Sequence, residues 1–541
     1  VLKNNGFHNR HSPFSRPFSP ASFFANGEQG WWYDPSNFAT LFQDSAGTTP
    51  VTAVEQPVGL QLDLSKGLVL GSELVTNGDF SGGTTGWTDV TATLSVVAAE
   101  GVVTSASSFG YVRQTLTTVV GKTYQFTLNA RVGTTNRFTF AVANGAVVAE
   151  TTSAVSVPLR CVYTATATST NIWLQVNNAG TAIIDNISVK ELPGNHRFQT
   201  TSANRPVVSA RVNLLTKTEQ FDDAVWTKTA TTVTPNAAVA PDGSMTAARL
   251  TTLTNGSLAR LQQQLPFTGS GLLSIYVRRV SGSGNWDISI GGLSFTPVVI
   301  TSEWTRLTLT ENNSGTAYSQ LRTSSANNDV IDVWHPDLRP TNQGVNLPAY
   351  QRVNTSTDYD STGFPIYIKP NGSNQSMQTN SINFTATDKM TVWQGVRKLT
   401  NATGIIVESS SNALTTNGAF ILACEGTPGS ANNYFYGGGG TTRVTVAPAP
   451  FIAPITNIIT SLDDISGDLI TVRINGTQVT QSTSDQGTGN YGNYPAYFYA
   501  RGGSSIYFNG NDYGSIARGA ASTAAQITAG ETYINSKTKA Y

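Results

Sequence analysis

The chain has 541 residues, long enough for about three to four domains that each bury a core. Lys plus Arg is 33, Asp plus Glu is 33, and only 12% of residues are charged, so nothing electrostatic favours nucleic acid or an anionic membrane surface. Low net charge does little to oppose self-association, which suits a protein that works inside an assembly.

Residues 1–71 read as an N-terminal arm and adaptor. Pro13, Pro17 and Pro20 break any helix, and no strand alternation is sustained. Two readings stand: a free disordered arm, or an extended arm that lays Phe14, Phe18, Phe23 and Phe24 into pockets of a neighbour. The aromatic content argues for the second, because disordered arms are poor in rings. "WWYDPSNFATLFQD" then clusters Trp31, Trp32, Tyr33, Phe38, Leu41 and Phe42, with Asp34-Pro35-Ser36 placed to open a short helical turn. The four Phe with Trp31 and Trp32 are the expected attachment residues, towards sister subunits or another assembly protein. The opening twenty residues lack the uninterrupted apolar stretch of a signal peptide, and no run approaches the length needed to cross a bilayer.

Residues 72–192 are strand-like throughout. The stretch "LVTNGDFSGGTTGWTDV" returns Phe80 and Trp87 to one core through a Gly- and Asn-rich loop. Short alternating runs flank Gly121-Lys122 and Asn144-Gly145, read as hairpin turns, and "NIWLQVNNAGTAIIDNISVKEL" closes the unit. Residues 193–212 read as a linker. Residues 213–353 replay the first unit: Phe221 precedes Trp226 as Phe80 precedes Trp87, "LARLQQQLPFTGSGLLSIYVRRV" matches "YVRQTLTTVVGKTYQFTLNARV", and "NDVIDVWHPDLRP" stands where "AIIDNISVKEL" stood. Residues 354–541 form a further unit with a hairpin at Asn475-Gly476. Its helix, "ASTAAQITAGETYINSK", is expected to start at Ser522 and to cover an end of the last sandwich. The fold class is therefore all-β: tandem sandwiches behind an extended adaptor.

"NGDFSGGTTGW" followed by "AIIDNISVKEL" resembles the opening and closing strands of carbohydrate-binding jelly-roll modules, found beside glycanases and in phage virion proteins. "NLLTKTEQFDDAVWTK", "DGSMTAARL" and "PAYQRV" resemble a second module of tailed-phage structural proteins. "IYFNGNDYGSIARGAASTAAQITAGETYINSKT" resembles the end of a concanavalin-like lectin domain, and "DPSNFATLFQDSAGTTPVTAVEQPVGLQLDLSKG" a leader of the same group. The resemblance implies a virion surface protein, a fibre, spike or decoration protein on the outer surface of the particle. Its implied partners are other virion proteins, sister copies of the chain and a host-surface or environmental glycan. A trimer would suit a fibre, although no coiled-coil heptads support one.

On a sandwich, rings stack on sugar faces while amides and guanidinium groups bond the hydroxyls. The candidates are Trp173, Gln175, Arg113 and Gln114 in the first unit and Trp286, Gln262 and Gln264 in the second. In the last unit, "YFYGGGG" at 434–440 and Tyr491, Tyr494 and Tyr497 at 487–503 read as displayed loops for glycan or protein contact. Catalytic residues are not expected. Asp222-Asp223 and Asp463-Asp464 are adjacent pairs in turn-like surroundings, and strand neighbours point to opposite faces, so neither makes the opposed carboxylates of a glycosidase. Cys161 and Cys424 are far apart, the four His form no ligand motif, and no metal or cofactor is expected. Three functions remain: glycan binding on a virion, a purely architectural spacer, and the accessory binding region of a secreted glycanase.

Overall fold

The computed structural model describes residues 18–142, 146–254, 256–292, 294–324, 326–411, 416–425 and 433–541. The fold is mostly β, built as several sandwiches. Residues 72–192 form two five-stranded sheets. One has the order 146–151, 138–142, 169–176, 110–117, 88–89; the other runs 157–164, 123–132, 180–191, 100–105, 93–97. The strands on either side of Gly121-Lys122 lie in different sheets, so that turn is a crossover and not the expected hairpin. Strands 138–142 and 146–151 do pair antiparallel, and Asn144-Gly145 between them lies outside the described residues.

The second jelly roll repeats this topology strand for strand: 296–298, 286–289, 316–323, 259–266, 227–229 in one sheet and 305–313, 269–281, 330–340, 247–252, 231–238 in the other. The repeat extends to single hydrogen bonds. Gln114 receives the Thr76 amide at 2.7 Å and donates to the Thr76 carbonyl at 2.9 Å; Gln263 makes the same pair with Thr216 at 2.8 and 2.8 Å. Phe80 packs on Trp87 at 6.0 Å between ring centres and Phe221 on Trp226 at 5.0 Å, with each indole N–H donating to the carbonyl of residue 77 or 217. Asn77 adopts φ 55° and Lys217 φ 52°, and Asn77 also donates to the carbonyls of Gly83 and Thr85. The polar opening stretch is thus the clasp that closes one end of each sandwich. Replacing Gln263 by Ala is expected to cost about 1–3 kcal/mol, because the part-buried backbone N–H and C=O of Thr216 both lose their partner. A urea midpoint measured against the unaltered chain checks this, and Gln114→Ala should behave alike.

The third sandwich departs from the expected domain order. Its first sheet has the order 207–209, 367–369, 510–518, 389–398, 455–464, 469–474, 477–482, with 30–33 also on 510–518; the second runs 41–42, 60–61, 197–198, 377–383, 493–498, 404–409, 420–424, 434–438, 444–446. Three separated segments therefore build one sandwich, and the two jelly rolls are inserted into it. Residues 193–212, expected as a linker, contribute a strand to each sheet. Trp31 and Tyr33 share one core with Val208, Phe420 and Phe498. These strands escaped sequence reading because two to four residues are too short to show a period.

The expected attachment residues are mostly consumed by this core, which corrects that assignment. Trp31 is fully buried, Phe23 stacks on Trp393 with centres 4.9 Å apart, Phe24 is buried beside it, and Trp32 donates its indole N–H to the Tyr533 hydroxyl at 3.2 Å. Phe18 is exposed, and Phe14 lies outside the described residues. The helix spans Ala524–Thr538, capped by Thr523 and not Ser522, with Gln526 completing a capping box. It lies on the outer face of the first sheet, not at an end of the sandwich: Ile534 joins Trp393, Ile458 and Ile516 in one cluster. Gly530 is required there, since a Cβ would sit 2.5 Å from Trp393 Nε1. At Asn475-Gly476 both residues take positive φ, 50° and 78°, as a two-residue turn between 469–474 and 477–482 demands.

Candidate functional site

The second jelly roll carries an open groove on its 259–266/316–323 sheet. Alternation sorts "ARLQQQLP" cleanly: Ala259, Leu261 and Gln263 face inward, while Arg260, Gln262 and Gln264 face out. "TAYSQLRT" does the same, with Ala317, Ser319 and Leu321 inward and Tyr318, Gln320 and Arg322 outward. Register then brings the outer residues into rows: Arg260 opposite Arg322, Gln262 opposite Gln320, Gln264 opposite Tyr318. Strand 286–289 extends two of the rows, with Asp287 opposite Arg322 and Ser289 opposite Gln320.

The outward side chains of strands 259–266 and 316–323, with Gly291, Gly292, Phe295 and Thr316, line a cavity of about 650 Å³. The loop on its rim is held by Glu311, which accepts from the amides of Ile290 and Gly291 and from the Ser294 hydroxyl. Ser289 accepts the Gly292 amide at 2.9 Å. Arg322 lies over the Phe295 ring at 3.0 Å and pairs with Asp287 at 3.4 Å. Arg260 donates through Nε to Thr229 Oγ1 at 3.2 Å. On the floor, Gln262 and Gln320 are only 7% and 4% exposed, and Gln262 Oε1 has no hydrogen-bond partner. A buried amide oxygen without a partner is costly unless a ligand or water supplies a donor.

Of the residues singled out from sequence, Gln262 and Gln264 line this groove. Trp286 does not: it points into the core at 1% exposure, because its strand has the opposite parity. In the first jelly roll, Trp173 and Arg113 are opposite each other on the equivalent outer face, with Gln175 opposite Tyr111. Trp173 stacks on Tyr111 with ring centres 4.2 Å apart, so each ring covers one face of the other. Gln114 is turned inward to its clasp and is not available to a ligand. Arg260, Phe295, Tyr318, Gln320 and Arg322 were missed; the signal lay in the alternate polar positions of the two strands.

The tyrosines expected on displayed loops sit mostly in strands. Tyr434 and Tyr436 are fully buried within 434–438. Tyr491 is buried and donates to Asp463 Oδ2 at 2.5 Å; burial pushes the Asp463 carboxyl up to about 6. Asp463 therefore faces the interior at the end of strand 455–464, not a solvated turn, while Asp464 points outward to Lys389 at 2.7 Å. Tyr494 is half-buried and donates to the Asn417 carbonyl, and Tyr497, also half-buried, lies opposite Gln378 and Glu408. Burial also holds the Glu408 carboxyl above its usual range. Both cysteines are buried free thiols, each pushed up to about 12 by desolvation. Among the described residues, no cluster of His, Cys, Asp and Glu is placed to hold a metal ion, and no helix is long and apolar enough to cross a membrane.

No family model and no curated protein sequence matches this chain. Solved structures do match in part. The CBM40 of the Ruminococcus gnavus IT-sialidase is 11% identical, over 28% of this chain and 96% of that one, with a TM-score of 0.23. The CBM22-1-CBM22-2 tandem of Paenibacillus barcinonensis Xyn10C is 11% identical over 53% and 100%, at 0.24. The heptameric SAP-like pentraxin of Limulus polyphemus is 14% identical over 26% and 69%, at 0.22. At these values the likeness carries no fold, ligand or activity to this chain, whose sandwich architecture rests on its own strand order.

Proposed function

We propose that the chain is a non-catalytic glycan-binding protein whose sugar site is the groove of the second jelly roll. The groove itself is the observation that supports this. Its size is that of a small-ligand site, and Tyr318 and Phe295 offer rings to the apolar face of a sugar. Gln262, Gln264 and Gln320 each bring a donor and an acceptor for hydroxyl groups. The one carboxylate among the lining strands' outer rows, Asp287, is paired with Arg322, so the opposed pair that glycoside hydrolysis needs is not assembled there. A pure spacer has no use for a polar cavity with an unfilled acceptor on its floor.

The proposed setting rests on the sequence resemblance: the outer surface of a tailed-phage virion, in a homo-oligomer, with 72–192 and 213–353 as carbohydrate-binding modules and the large sandwich as a concanavalin-like lectin domain. Host attachment would follow from glycan capture. The accessory binding region of a secreted glycanase is the second setting, favoured by the same groove, because holding a sugar without cleaving it is what such a region contributes. Cryo-electron microscopy of intact particles separates the two, since only the first places the chain on a virion.

The binding claim is tested on a glycan array with the full chain and the Tyr318→Ala and Gln320→Ala variants. Each substitution is expected to weaken binding about tenfold, near 1.4 kcal/mol. Half-buried Tyr318 should be replaced without lowering the melting temperature, and the melting temperature of the Gln320→Ala chain separates lost binding from lost packing at this buried site. Absence of binding, or binding indifferent to both substitutions, would overturn the reading.

A further inference from the structure

Arg260 and Arg322 stand directly opposite each other on adjacent strands and project into the same groove. Like charges so placed destabilise a sheet. For Arg322 the charge is answered: Asp287 lies 3.4 Å away and the Phe295 ring lies against the guanidinium. Arg260 has only the neutral Thr229 hydroxyl at 3.2 Å, and among the described residues no carboxylate forms an ion pair with it. Glu311, the other acid near this loop, is committed to the Ile290 and Gly291 amides and the Ser294 hydroxyl. Next to this unanswered cation, on the row between the arginines and Tyr318, lies the buried and unpartnered Gln262 Oε1.

The groove thus presents two unmet needs side by side. A guanidinium fork matches a planar acid group with parallel hydrogen bonds. An amide oxygen needs a hydroxyl or N–H donor, which an anionic carboxylate does not supply. A small inorganic anion would answer the first need alone, and a neutral sugar the second alone. We infer that the groove takes an acidic saccharide, its carboxylate or sulfate ester held by Arg260 and its ring hydroxyls by Gln262 and Gln320. This rests on the glycan-binding reading above and adds the chemical class of the sugar.

The test uses the full chain on an array that pairs each acidic oligosaccharide with its carboxyl-reduced or desulfated counterpart, alongside R260Q and Q320A. The unaltered chain is expected to retain the acidic member of a pair at least tenfold more tightly than the neutral one. R260Q should remove that difference, and raising the salt concentration should weaken binding of the unaltered chain. The carboxylate pairs and the sulfate pairs, read separately, show which acid group is held. Binding that Q320A abolishes but that is equal for both members of every pair would overturn the acidic-sugar proposal while leaving the groove a glycan site. So would an R260Q variant within twofold of the unaltered chain on the acidic glycans. If no glycan binds, or Q320A and Tyr318→Ala both leave all binding intact, the glycan reading fails and this proposal fails with it.

Discussion

Residues 354–541 produced alone are expected not to fold, although they contain most strands of the large sandwich. The missing pieces are central. Trp31, Tyr33, Leu41, Val51, Val58 and Val208 belong to the same buried cluster as Phe420, Phe498 and Ile459, and all come from outside that range. Each of the two aromatic side chains removed leaves a cavity that costs about 3–5 kcal/mol, against a total stability of about 5–15 kcal/mol for a typical domain. Strand 510–518 would also lose the partner 30–33, baring an edge along its last four residues. The fragment should show no cooperative thermal transition and should be degraded rapidly in limited proteolysis. A variant that keeps 18–212 and 354–541 but replaces 213–353 by a short linker should melt cooperatively, because 207–209 and 367–369 are already antiparallel neighbours that bring the ends of the insertion together. A fragment 354–541 that melts cooperatively near the temperature of the full chain would refute the inserted architecture.

Arg197→Ala is expected to be severely destabilising. Arg197 comes from the segment between the jelly rolls, yet it is fully buried in the large sandwich and pairs with fully buried Asp512 at 2.9 Å. Gln61 accepts from its Nε at 2.9 Å and from a terminal nitrogen at 2.6 Å, and its guanidinium lies against the rings of Tyr33, Phe498 and Tyr499. Asp512 is further held by Gln394 at 2.8 Å and by the Tyr499 hydroxyl. Removing the cation strands the carboxylate in the interior, a loss of about 3–5 kcal/mol for a buried pair with one partner deleted. Adding Asp512→Asn should recover part of that loss, since the neutral amide has no charge to strand; the double variant should be less damaged than the sum of the two single ones. Denaturant midpoints of the four chains give the coupling directly. Strict additivity would mean that the pair is not coupled, and a near-neutral Arg197→Ala would mean that it contributes little.

The sequence carried the local features well and the long-range ones poorly, for a physical reason. Turn chemistry is local, so the positive-φ pair Asn475-Gly476 and the polar clasp ahead of Phe80 and Phe221 could be read from a few residues. The repeat of the jelly rolls was visible because matching strands have matching order. Which face a residue takes depends on register, and a shift of one residue inverts it. Gln262 and Gln264 were therefore found by chemistry, whereas Trp286 and Gln114 have suitable chemistry and the wrong face. The joining of 30–33, 60–61 and 197–198 to strands far later in the chain left no signal at all. Each is short, and nothing in Arg197 or Gln61 as letters indicates that they meet across the core.

In the proposed function the second jelly roll holds a sugar in the groove formed by its outer arginine, glutamine and tyrosine rows. The most direct measurement is a crystal structure of the full chain with the tightest glycan from the array. Sugar density is expected in the groove, with hydroxyls within hydrogen-bond distance of Gln262 Oε1 and Gln320 and a ring face on Tyr318 or Phe295. Sugar bound elsewhere, on the Trp173 face or around Tyr497, with this groove holding only water, would contradict it.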